Sequence, residues 1–200
     1  TAAGAHLYSR EFFALVHDRL TPSGVFVQWM GLAFLDAPLL RELSATLLAS
    51  FREVEVVQLD PGSLLFLASD AALDLAGAGA LPGDPAHWAE IGILDRGELA
   101  DARVLDSAGA RRFAAGAPLL SEDRNRLRFA TSAPGFRGLE PAALGGLLAP
   151  YDSFVADAEA PRRLRRLSER GFLLRATRLA RRLGISVETA DSLAKDDALL

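Results

Sequence analysis

A helix, a tight turn and a strand in direct succession set the terms on which this chain can fold. Across residues 8–20, Phe12, Phe13, Leu15, Val16 and Leu20 recur at helical spacing, while Arg10, Glu11, His17 and Asp18 fall largely on the other side. Thr21-Pro22-Ser23-Gly24 breaks that helix, and residues 25–30 follow as an apolar run rich in aromatic and β-branched side chains, consistent with a buried strand. Helix, turn and strand in this order are half of a βαβ unit, so the predicted class is α/β.

The pattern continues. Asp36 is placed to cap a second helix with Pro38 in its first turn, and Leu39, Leu40, Leu43, Leu47 and Phe51 supply its buried stripe. Residues 53–59 read as a strand, Asp60-Pro61-Gly62-Ser63 as a reversing turn, and 64–68 as a returning apolar strand, so the last two strands form an antiparallel hairpin. The small-residue run 77–83 contains Pro82 and has no strand leading tightly into it. It reads as a connection and not as a phosphate-binding loop. Asp84-Pro85 opens a short helix carrying His87 and Trp88, Ser107 is placed to cap another running to about Ala115, and the alternation of Leu127 and Phe129 suggests a short strand over 126–130. The expected organisation is a first unit over 1–132, a linker over 133–160 and an incomplete helical extension over 161–200.

Composition removes several classes of function. The chain of 200 residues is half apolar and carries 22 basic against 26 acidic side chains, a net charge of −4, so no overall positive field draws it to nucleic acid. Absence of cysteine excludes disulfides, thiolate metal sites and cysteine nucleophiles. His6, His17 and His87 are scattered without metal-ligand spacing, and no serine sits on a Gly-x-Ser-x-Gly turn. No apolar stretch reaches the roughly 18 to 20 residues of a spanning helix, and the first residues lack the pattern of a signal peptide, so a cytoplasmic location with no membrane segment is expected.

The run Leu7-Tyr8-Ser9-Arg10-Glu11-Phe12-Phe13, the turn Thr21-Pro22-Ser23-Gly24 and the strand Val25-Phe26-Val27-Gln28-Trp29 together resemble the later half of the polyamine aminopropyltransferase, or spermidine synthase, family. The likeness continues through residues 36–51 and the Asp60-Pro61-Gly62 turn, and Leu120-Ser121-Glu122-Asp123-Arg124 is similar to the Asn-Thr-Asp-Asp-Arg-Pro segment of many bacterial members. It covers roughly residues 8–130. The resemblance implies the carboxyl-terminal part of a Rossmann-like, class I methyltransferase-like sheet ending in an antiparallel hairpin, followed by a helical extension. It implies aminopropyl transfer from decarboxylated S-adenosylmethionine to a diamine. Methyl transfer and a catalytically inactive scaffold stand as alternatives. The family's nucleoside-holding glycine loop and its catalytic aspartate would lie upstream of Thr1, because Ala2-Ala3-Gly4 fall where the family has Gly-Pro-Ala. This chain is therefore expected to hold no cofactor and no catalytic residue of its own.

The chemistry so implied is displacement at a carbon beside a sulfonium by a neutral amine, which calls for acceptors along the polyamine site. Three residues are candidates for binding the polyamine. Gln28, at or near the end of its strand, faces either the ligand crevice or unsatisfied backbone at a strand end. Tyr8 offers a hydroxyl at the rim of the same crevice or simply packs. Asp60, where the family tends to place a tyrosine, is either a carboxylate for an ammonium or an ordinary turn residue. Glu122 and Asp123 form an acidic lip or a solvated loop.

Two further features bear on partners. Residues 179–189 resemble the turn of a helix-turn-helix, but the would-be recognition helix carries Glu188, Asp191, Asp196 and Asp197, which repel phosphate, so nucleic acid is not the expected partner and a carboxyl-terminal DNA-binding module stands as an alternative. With an upstream strand lacking, the strand at 25–30 is expected to present an unpaired edge, and such an edge invites a homo-oligomer.

Overall fold

The computed structural model describes residues 2–59, 62–75, 77, 83–90, 96, 100, 102–130, 133–153, 186 and 188. In it the helix expected at 8–20 is α1, Arg10–His17, and a 3-10 helix over Ala2–Tyr8 precedes it. Ser9 makes the break. Its buried hydroxyl accepts the Phe12 N–H at 3.2 Å and donates to the His6 carbonyl at 2.9 Å, so one side chain caps α1 and closes the preceding turn.

Strand β1, Phe26–Gly31, leads through a short 3-10 turn into α2, Ala37–Ser50. Asp36 caps α2 as the sequence predicts, its carboxylate accepting the Leu39 N–H at 2.7 Å. Strands β2, Glu53–Val57, and β3, Ser63–Ser69, form the expected antiparallel hairpin. Helix α3, Pro85–Glu90, then precedes a strand the sequence does not announce, β4 at Arg103–Leu105. Three short helices follow: α4, Ser107–Ala114; α5, Leu127–Ala130; and α6, Pro141–Leu148.

The protein is thus a mixed α/β structure around an open four-stranded sheet in the order β1-β3-β2-β4, with every neighbouring pair antiparallel. Because β3 is antiparallel to both β1 and β2, those two strands run in the same direction, joined by α2 and separated by the returning strand. One sheet face, built from Phe26 and Met30, Val54 and Val56, and Leu64, Phe66 and Ala68, belongs to the main core with Phe13, Leu39, Leu40, Leu43 and Leu47 of α1 and α2. Aromatic rings tie the layers: Phe26 lies 5.8 Å from Phe13 and stacks on Phe51 at 6.1 Å. Burial of the fully covered Phe13, Phe66 and Phe113 is the main stabilising term, about 3–5 kcal/mol for each if truncated to alanine.

Several expectations need correction. Residues 126–130 are not a strand, because Leu127–Ala130 is one helical turn entered through Asn125, whose side-chain carbonyl accepts the Leu127 N–H at 3.1 Å. A two-residue alternation cannot separate the two conformations. Ser107 is not the cap of α4. Asp106 caps it, accepting the Gly109 N–H at 2.6 Å, which frees the Ser107 hydroxyl to accept the buried Val54 N–H of β2 at 3.1 Å. The stretch expected as a linker, 133–160, carries α6, whose Leu144 and Leu148 are core residues. The Leu139 N–H bonds the carbonyls of Leu32 and Leu35 at 3.0 and 2.8 Å. Arg41 of α2 fastens the far end of this stretch, its guanidinium 4.5 Å from the Phe113 ring centroid and 5.7 Å from that of Tyr151. His17 is not a purely solvated side chain: Nε2 lies 2.9 Å from the Asp70 carboxylate, which raises its pKa, and its ring meets Phe51 edge-on.

Strand β1 has β3 on one side and, among the described residues, no strand on the other, so the expected unpaired edge is present. Its outward face exposes Val25, Val27 and Trp29. Further along the same sheet face Glu55 is buried on β2, one oxygen bonded to Arg103 at 3.0 Å and the other without a partner. Among the described residues no helix is long and apolar enough to cross a membrane.

Two outcomes follow from these bonds. Ser107→Ala strands the Val54 N–H in the interior and is expected to lower unfolding free energy by about 1–3 kcal/mol in urea titrations. Burial holds the Glu55 carboxyl above its ordinary pKa, an effect that Arg103 only partly offsets. The folded state therefore takes up this proton more readily than the unfolded chain, and the stabilisation present in acid is lost as pH rises through the folded value. Glu55→Gln keeps an acceptor for Arg103 and removes the buried charge. The variant is expected to exceed the parent in stability by about 1 kcal/mol at neutral pH and to converge with it near pH ~4.

Candidate functional site

The carboxyl end of β1 opens onto a cavity of about 200 Å³. Trp29 and Met30 close it from the strand, Phe34 from the turn that follows, Leu7 and Tyr8 from the 3-10 helix, and Leu127 from α5. Its walls are mostly apolar and include three aromatic side chains, of which Trp29 and Phe34 are 52% and 42% exposed, hydrophobic surface that folding would ordinarily cover. Tyr8 brings a hydroxyl. It is half-buried, and burial raises its pKa, so the phenol stays protonated and both donates and accepts.

β1 and β2 point the same way and are joined by α2, with every hydrogen-bonded pair of the sheet antiparallel, and the cavity lies at the carboxyl end of β1. Asn125 holds two of its walls together. Buried beside the cavity, its side-chain N–H donates to the Ala5 carbonyl at 2.5 Å while its side-chain carbonyl receives Leu127 N–H, so a single amide ties the 3-10 helix to α5. The loop before it is held in turn: Leu120 N–H bonds the buried Thr46 hydroxyl at 2.9 Å, and Arg10 N–H bonds the Leu120 carbonyl at 2.8 Å.

The three residues expected to bind a polyamine fall in three different places. Tyr8 lines the cavity. Gln28 does not, because β1 continues to Gly31 and leaves Gln28 in the middle of the strand. There it lies half-buried on the core-facing side, its amide donating to the Trp29 carbonyl at 3.1 Å. Asp60 lies outside the described residues, although its neighbour Gly62 is tied to the end of β1 through the Leu32 N–H at 2.8 Å. The helix-turn-helix-like segment 179–189 and the arginine-rich run before it also fall outside what is described, residues 186 and 188 apart.

Comparison with models of protein families, with curated proteins and with solved structures finds no match to this chain. The site is therefore judged on its own chemistry. Tyr8 is the only titratable side chain among the described residues lining the cavity, so these walls bind and orient but supply no general base near neutral pH. Glu122 and Asp123 are exposed and stand apart from it. Asp123 borders a second, polar groove with Arg10, Arg124 and Arg126, where Arg126 is already engaged by Glu42 at 2.9 Å and Asp36 at 3.3 Å.

Trp29, Phe34 and Asn125 are the residues sequence reasoning passed over. Trp29 carries the readable signal, a large aromatic at an outward position near a strand end, and Asn125 carries another, an amide just ahead of a helical turn. Asn125→Ala is expected to cost about 1–3 kcal/mol through the stranded Ala5 carbonyl and Leu127 N–H. Hydrogen exchange should show the loss of protection concentrated in residues 2–8 and 127–130.

Proposed function

We propose that this chain is the carboxyl-terminal part of a spermidine synthase-like domain with a Rossmann-like, class I methyltransferase-like sheet, and that it supplies the binding surface for the alkyl chain of the amine acceptor. The observation that carries the reading is the aromatic cavity at the carboxyl end of β1. Support also comes from the sheet: β2 and β3 form an antiparallel hairpin, the ending that the sequence resemblance implies.

Aromatic walls suit a polyamine for two reasons. Its methylene segments are apolar and pack on ring faces, while its ammonium groups are attracted to the same faces by the ring quadrupole. Tyr8 gives one acceptor to orient the chain. In the reaction, a neutral amine nitrogen attacks the carbon beside the sulfonium. The new C–N bond forms as the C–S bond breaks, the electron pair passes to sulfur to give a neutral thioether, and the nitrogen then loses a proton. Decarboxylated S-adenosylmethionine is the donor in this reading. The cavity walls hold the nucleophile in line and exclude water, and they contribute no proton acceptor of their own. The chain by itself is accordingly expected to bind without turnover.

Tryptophan fluorescence tests this directly, since the chain has two tryptophans and Trp88→Phe leaves Trp29 as the sole reporter. Putrescine or spermidine, titrated to about 10 mM, is expected to change Trp29 emission saturably. Phe34→Ala should weaken binding by about 1 kcal/mol, roughly fivefold, and Gln28→Ala should leave it unchanged. A linear, unsaturable response to both amines removes the reading.

A further inference from the structure

Phe34, one wall of the cavity, stands on a 3-10 turn of three residues, Leu32–Phe34. The turn is closed by the Leu35 N–H on the Leu32 carbonyl at 3.1 Å, and so short a piece of 3-10 helix holds its direction poorly by itself. Two neighbours supply the direction. On one side the Leu32 N–H bonds the Gly62 carbonyl at 2.8 Å, and on the other the Leu139 N–H is shared between the Leu32 and Leu35 carbonyls at 3.0 and 2.8 Å. Leu139 thus bridges both ends of the turn that carries Phe34.

The segment that delivers Leu139 is built for close approach. Ala133-Pro134-Gly135-Phe136 has the signature of a type II turn, with Gly135 at φ +80° and the Phe136 N–H closing on the Ala133 carbonyl at 3.1 Å. Phe136 and Leu139 then pack against the main core, and Gly138 lies between them in sequence. A Cβ on Gly138 would stand 2.6 Å from both the Cα and the carbonyl oxygen of Ala33, the residue before Phe34, so the two backbones touch as only glycine permits. The front of the turn is shaped in the same way. A Cβ on Gly31 would lie 3.2 Å from the Phe34 ring and 3.2 Å from the Trp29 ring, so both rings share the space over one bare glycine. We propose that residues 133–139 are a strap that sets Phe34 beside Trp29, and that Gly138, which does not itself line the cavity, is a positioning residue for amine binding. The claim on amine affinity deepens the polyamine reading and rests on it, whereas the placing of Phe34 does not.

Trp88→Phe again leaves Trp29 as the reporter. In that background Phe34→Ala is expected to move the emission of the ligand-free protein to longer wavelength. Gly138→Ala should do the same, since a methyl group cannot enter against the Ala33 backbone without moving the turn. Putrescine affinity should fall about fivefold in either variant and no further in the two combined, because both remove the same wall. Gly135→Ala keeps the test open if Gly138→Ala does not fold: its Cβ meets nothing within 4 Å, but its positive φ strains the strap, and the emission should move the same way by less. Gly116→Ala controls for lost stability alone. It is strained alike at φ +76°, beyond α4 and with open space around it, and should leave emission and affinity at parental values. Emission unmoved by both strap variants, additive losses in the Phe34→Ala and Gly138→Ala pair, or an equal shift from Gly116→Ala would each overturn the proposal. A parent that binds no putrescine while the emission shifts follow the strap removes the polyamine reading and its affinity claim, and upholds the placing of Phe34.

Discussion

Insertion of β3 between β1 and β2 is the constraint on which the remaining structure rests. A strand hydrogen-bonded on both sides must be apolar on its buried face and regular throughout, and Leu64, Phe66 and Ala68 are fully covered on that face. Once β3 is seated, β1 and β2 take the same direction, and α2 must cross from one to the other over a single face. Helix α1 is then confined to that face too, where the Phe12, Phe13, Phe26 and Phe51 rings meet. Among the described residues the opposite face receives no such cover over β1, and Val27 and Trp29, which strand alternation turns to that face, stand exposed.

What the sequence disclosed, and what it withheld, divides along the range of the interactions. Helix α2 and strands β1 to β3 were readable because their burial patterns are long enough for one period to exclude the other, and because Asp36 and the Pro61-Gly62 turn mark their limits. Strand β4 was not, since three residues hold no period and its extended form depends on pairing with β2. The 126–130 segment was misread for the same reason: Leu127 and Phe129 alternate over a span too short to tell a strand from a helical turn, and Asn125 decides between them. Ser107 was legible as a hydroxyl near a helix start, but only its distance to Val54 shows that it serves a strand instead.

The candidate site was legible in part. Tyr8 stands out as an aromatic with a polar end, and the structure places it in the cavity wall. Gln28 was judged by nearness to a strand terminus, but the strand runs three residues past it, to Gly31. The cavity itself is assembled from segments far apart in the chain, the 3-10 helix, the end of β1 and the turn at α5, and long-range closure of that kind leaves no local mark on a sequence.

The clasp of Arg41 on Phe113 and Tyr151 has a practical meaning for anyone trimming this chain. Because the guanidinium also bonds the Phe113 carbonyl, at 2.5 Å, one side chain of α2 meets both α4 and the segment ending near Tyr151. A boundary drawn at residue 132 would strip Leu139, Leu144 and Leu148 from the interior and leave Arg41 with the Phe113 ring but without that of Tyr151. Expression boundaries belong beyond Asp152, so that Leu144, Leu148 and Tyr151 stay in their layer.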